Sequence, residues 1–118
     1  MQVALIFHES AEDLSARSDP ARAGAYWGAW KAYVGALTEA GVVRGGNALL
    51  GPETGAVLRH RGGADQVLDG PYAETKEQLG GFLAIEVADM PAALAWAARC
   101  PCAATGAVEV RPILPMQS

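Results

Sequence analysis

Gly80-Gly81-Phe82-Leu83-Ala84-Ile85-Glu86-Val87 reads as a strand entered through a glycine pair. Asp89 follows at once and is placed to cap a helix from Met90 to about Arg99, with Leu94 and Trp96 as its bulky residues and Pro101 closing it. Beyond it, Val108-Glu109-Val110-Arg111-Pro112-Ile113 alternates with period two, so Ala107 to Ile113 predicts a last strand, with Pro112 marking its end or an edge. This half of the chain is strand, helix, strand.

The other half has the same order. Gln2 to His8 carries the continuous apolar run Val3 to Phe7 and predicts a strand buried on both faces. Glu9 to Asp19 is polar and irregular and reads as a loop. Ser18 or Asp19 caps a helix with Pro20 at its first position, running to about Ala40 and stopping at a left-handed Gly41. Trp27, Trp30, Val34 and Leu37 form one stripe of that helix, with Tyr26 and Tyr33 beside it, so it buries more than one face. Val42 to Leu50 is a short strand whose Gly45-Gly46 pair predicts a bulge or a close backbone approach. Ala56 to Arg61 and Gln66 to Leu68 flank Gly62-Gly63-Ala64-Asp65 as a hairpin with a longer loop, and Tyr72 to Gln78 reads as a short helical turn.

The sum is one α+β domain over residues 1–118, a ferredoxin-like βαββαβ plan with an added hairpin. Helices on one face of the sheet leave the other face apolar, which predicts a homodimer closed sheet to sheet. Its 118 residues are 51% hydrophobic and 19% charged, enough to build a core and too apolar for a disordered tail.

Nine Lys and Arg against thirteen Asp and Glu give a net charge of −4 with no basic stripe, which argues against nucleic acid as a partner. No apolar run approaches the roughly 20 residues of a membrane span, so no membrane partner is expected. Two cysteines and no leader pattern point to the cytoplasm. Phosphate-loop, serine-hydrolase, zinc-protease and dinucleotide signatures are absent, and Cys100-Pro101-Cys102 is one residue too tight for usual zinc or redox spacing, so neither metal nor cofactor is expected.

Candidate chemistry centres on Asp69-Gly70-Pro71-Tyr72-Ala73-Glu74-Thr75-Lys76-Glu77. Asp69, held by the stiff Gly-Pro backbone, either caps the following turn or faces a cleft as a general base. His8, at the end of the first strand on the face of Ala4 and Ile6, either relays protons or hydrogen-bonds a loop. Trp30 and Tyr33 either wall a pocket or fill the core. Arg44 and Arg111 either bind an anionic group or pair with Glu86 and Glu109. Tyr72 and Lys76 complete the candidate binding set.

The run from Asp69 to Phe82 resembles the signature of the YCII-related proteins of the DGPF branch, with Tyr72 in the aromatic place. The resemblance continues through Ala93 to Ala98 and Pro101 and ends in Val108-Glu109-Val110-Arg111-Pro112, covering nearly the whole chain. It implies a dimeric α+β barrel, a small organic molecule bound beside the sheet, and in some relatives cofactor-free chemistry. It also implies gene neighbourhoods with extracytoplasmic sigma factors, hence an alternative role as a non-catalytic, ligand-binding accessory dimer. The His–Asp pair proposed for some members does not carry over, since Trp30 and Gly41 stand near those places. Proton transfer, elimination or isomerisation here would rest on Asp69, with His8 as the second candidate.

Overall fold

In the computed structural model, which describes residues 1–116, four strands form one antiparallel sheet. They are β1 (Gln2–Ser10), β2 (Val43–Ala48), β5 (Glu77–Glu86) and β6 (Ala107–Pro112), in the order β2-β5-β1-β6. Between β2 and β5 lies a separate two-stranded sheet, β3 (Ala56–Arg61) and β4 (Ala64–Asp69). Among the described residues, three α-helices, α1 (Ala11–Ala16), α2 (Ala23–Glu39) and α3 (Met90–Ala98), and a single 3-10 turn, Pro52–Thr54, complete the fold. The expected ferredoxin-like α+β plan, with its added hairpin, is the fold.

β1 alternates strictly. Val3, Leu5, Phe7 and Glu9 are buried, while Ala4, Ile6, His8 and Ser10 are only partly covered. On the buried face the strand meets Tyr33 and Leu37 of α2, Ala93 and Ala97 of α3, and Ile85 of β5 in one core. So β1 is buried fully on one face, not on both as the apolar run predicted. A continuous run of aliphatic residues does not by itself tell a two-sided strand from a half-covered one.

Local chemistry sets the helix ends. Asp89 accepts from the Ala92 N–H at 2.9 Å, the expected N-cap of α3. At the end of α2, Gly41 has φ +74°, its N–H bonds the Thr38 carbonyl at 3.0 Å, and Val42 N–H bonds Leu37 at 3.3 Å, the Schellman pattern.

Four expectations need correction. Glu9 to Asp19 is not a loop: β1 continues to Ser10, whose hydroxyl caps α1 by accepting from Asp13 N–H at 3.1 Å. The long helix starts at Ala23 rather than Pro20, because Asp19 bonds Ala21 N–H at 2.9 Å and holds the preceding residues in a turn. The hairpin loop is only Gly62-Gly63, both with positive φ, the geometry of a tight primed turn. Tyr72 to Gln78 is not helical: it bends without a regular element and enters β5 at Glu77.

Candidate functional site

A cleft of about 440 Å³ lies between the first half of α2 and the β2–β5 edge. Phe7, Trp27, Trp30, Val34 and Leu83 wall it, and Lys31 stands at its rim. The aromatic rings interlock: Phe7 meets Trp30 edge-on at 4.8 Å, and Tyr26 meets Trp27 at 4.8 Å. The walls are therefore stiff as well as apolar.

The inner end of the cleft is polar. Glu9, the fourth residue of the inward row of β1, is 1% exposed. Arg17, the residue closing α1, donates from Nη2 to Glu9 Oε2 at 2.9 Å. Its Nε donates to the Tyr26 hydroxyl at 2.8 Å, and its remaining groups reach the carbonyls of Leu49 and, at 3.1 Å, Gly80. Tyr26 in turn donates to Glu9 Oε1. The guanidinium also lies over the Trp27 ring at 5.3 Å. A buried carboxylate is costly unless paired and bonded, and here both oxygens are. Burial first, and then the bond to Glu9, push the Tyr26 phenol well above its ordinary value of 10.0, so it stays a neutral donor.

Arg17 is thus fixed from four sides while one flat face lies against an indole. Nothing in this network is loose enough to rearrange without breaking several bonds at once. Such a group can orient a ligand's acceptor atom without first losing freedom of its own.

Of the eight sequence-predicted site residues, Trp30 alone lines the cleft. Tyr33 is core, its hydroxyl donating to the Trp96 carbonyl at 2.8 Å. His8 sits on the open sheet face with Nε2 2.9 Å from Glu109 Oε1. Arg111 shares that face and lies 3.9 Å from the other Glu109 oxygen, while Glu86 pairs with the N-terminal ammonium at 2.7 Å. Arg44 is exposed and donates to its neighbours' carbonyls, Gly41 at 2.9 Å and Val43 at 3.0 Å. Asp69 ends β4 on the hairpin, opposite Ala56, and its carboxylate has no hydrogen bond among the described residues. Tyr72 is exposed beneath Arg59 at 5.4 Å, and Lys76 is exposed nearby. One chain therefore gathers His8 with Arg111 and Tyr72 with the hairpin, and keeps both groups apart from Trp30.

Sequence reasoning missed Glu9, Arg17 and Tyr26 as a unit. The signal for Glu9 was present: counting by two from Val3 through Leu5 and Phe7 lands on it. Ending the strand at His8 erased that count, and reading α1 as loop left Arg17 without a position.

The model of the YCII-related domain matches residues 1–117. The chain belongs to the YCII-related family. A relative of this YCII-related chain is the uncharacterised protein R00369 of Rhizobium meliloti (strain 1021), 49% identical over 69 residues. That match covers 56% of the chain and 56% of the relative, so the two share a little over half of either length. Among the described residues of the YCII-related chain, no helix is long and apolar enough to cross a membrane.

Proposed function

We propose that this YCII-related protein binds a small, flat, largely apolar organic molecule in the cleft between α2 and the β2–β5 edge. One observation carries the reading: an aromatic cleft of about 440 Å³ ends on a prebuilt Glu9–Arg17–Tyr26 network. That volume suits a single small ligand, and few oriented polar groups among apolar walls are the usual anatomy of such sites. The ligand's body lies against Trp27 and Trp30, and its acceptor end faces Arg17 or the Lys31 ammonium.

The binding reading is favoured over a cofactor-free enzyme with Asp69 as base. Asp69 lies outside the cleft lining, on the exposed hairpin. The homodimer is part of the same proposal: Ile6, Leu79, Phe82 and Ala84 lie on the sheet face that no helix covers, with Phe82 40% exposed and Leu79 42%. Both cysteines are free, which suits the reducing cytoplasm.

Titration with anilinonaphthalene sulfonate, a flat aromatic anion, followed by tryptophan quenching tests the cleft. Binding weakens about tenfold or more in Trp30→Ala, a loss of about 1.4 kcal/mol per tenfold, and is unchanged in Asp69→Asn. Equal affinity of wild type and Trp30→Ala would put the ligand elsewhere.

A further inference from the structure

Cys100 and Cys102 flank Pro101 in the turn that follows α3, closed by Ala103 N–H bonding the Cys100 carbonyl at 3.0 Å. Proline suits the second place of such a turn. The turn brings both side chains to one side, with the sulfurs 3.5 Å apart. Both thiols are free, and they are 5% and 2% exposed. Buried structural thiols are ordinarily inert because nothing reaches them. Here a second groove, of about 280 Å³, opens between α1 and α2 and reaches Pro101 and Cys102. It is distinct from the ligand cleft, although Glu9, Tyr26 and Trp30 form the partition between them.

We propose that Cys100 and Cys102 form a reversible dithiol–disulfide couple that reduces a small hydroperoxide admitted through this groove. The two sulfurs are not equivalent. Cys102 Sγ also contacts the Ala107 carbonyl at 3.6 Å, and its bond to Cys100 lowers the Cys100 thiol from its ordinary value while Cys102 is held up. Cys100 is therefore the more acidic thiol of the pair, while Cys102 is the one that lines the groove.

The thiolate attacks one peroxide oxygen. The O–O bond breaks, the other oxygen leaves with a proton as alcohol or water, and the attacking sulfur becomes a sulfenic acid. The second thiol then attacks that sulfur. An S–S bond forms, and the hydroxyl departs with the second thiol's proton as water. Two thiols and one hydroperoxide give one disulfide, one alcohol and one water, with two electrons passing from sulfur to oxygen. The balance is the same whichever sulfur takes the oxygen first. The separation closes from 3.5 Å to about 2.05 Å, a movement within a surface turn rather than between elements. Thiol reductants reverse it by exchange.

Fully reduced protein is exposed to equimolar hydrogen peroxide, quenched with N-ethylmaleimide, and read by intact mass and peptide mapping. The expected result is joint loss of both thiols, a mass lower by two hydrogens, a bond mapped to Cys100–Cys102 within one chain, and full recovery with dithiothreitol. Three outcomes overturn the proposal: oxygen added to one sulfur without bridging, a bridge between two chains, or thiols that survive peroxide able to oxidise the urea-unfolded chain. Cys100→Ser or Cys102→Ser adds a second readout, a sulfenic acid on the remaining cysteine trapped by dimedone. The wild-type measurement decides the matter whether or not either variant folds.

Discussion

At the head of β5, the space beside Gly80 is filled by the carboxylate of Glu9, and a Cβ built there would overlap Oε2 and crowd Arg17. The Gly80 carbonyl also accepts from Arg17. Residue 80 therefore has to be small for the buried ion pair to exist, although its backbone needs no special angle. Gly80→Ala must push Glu9 or Arg17 out of a fully bonded arrangement. The expected cost is about 1–3 kcal/mol of folding stability, the range for forcing extra atoms into a packed site. The same change weakens anilinonaphthalene sulfonate binding, because it moves the polar end of the cleft. Denaturant unfolding beside the quenching titration checks both, and a wild-type midpoint with wild-type affinity would refute the arrangement. Nothing local in the sequence marks this constraint. Gly80 stands next to Gly81, whose own Cβ would meet the Asn47 carbonyl of β2 at 2.8 Å, and the two glycines have different reasons that only the packing separates.

Among the elements, α3 shows how far local signals reach. Its sequence is alanine-rich, a residue that loses little on entering a helix. Its start is fixed by Asp89, and its inner face needs only Ala93 and Ala97 to lie flat on the sheet. Asp89→Ala removes the side-chain acceptor of Ala92 N–H and is expected to cost about 1 kcal/mol. Asp89→Asn, which keeps an acceptor oxygen, recovers most of that loss, and thermal unfolding of the pair separates capping from charge. Apolar runs, glycine pairs, the α3 cap and, in β6, period-two alternation make β1, β2, β5, α3 and β6 legible, because each of those signals acts within a few residues. They failed at α1, where six residues with a serine cap look like any polar loop, and at Tyr72 to Gln78, where polar composition suited a helix but Gln78 instead turns its amide back onto the Ala73 carbonyl at 2.9 Å. The site was less legible than the fold. Glu9, Arg17 and Tyr26 come from three different elements, so no spacing in the chain announces them.

At the scale of the molecule, the chain is a slab of 47 × 47 × 20 Å with a radius of gyration of 16.0 Å. A compact domain of this length is expected near ~13.5 Å. The excess fits the β3–β4 hairpin, which forms its own sheet and leaves Leu58, Val67 and Leu68 more than half exposed. A lone two-stranded hairpin is only marginally stable in water, and its register puts Leu58 and Val67 on one side and Leu68 on the other, while Ile6 and Phe82 share the uncovered face of the larger sheet. The homodimer proposed above would seat a second copy on the face of Ile6 and Phe82, which no helix covers. Wild-type protein is therefore expected at twice the chain mass in native mass spectrometry. Ile6 lies in the middle of β1, itself an inner strand of the sheet and directly across from Glu109 of β6, so Ile6→Lys would put a long charged side chain at the centre of the proposed interface. That variant is expected at the single-chain mass, with its helical circular dichroism retained, since residue 6 points away from the α2 and α3 core. On the same proposal its hairpin, which forms a sheet of its own, should become the first site of limited proteolysis once the second copy is lost. Wild-type protein running as a monomer, with the hairpin already cut as fast as in the variant, would leave the open face to some other partner.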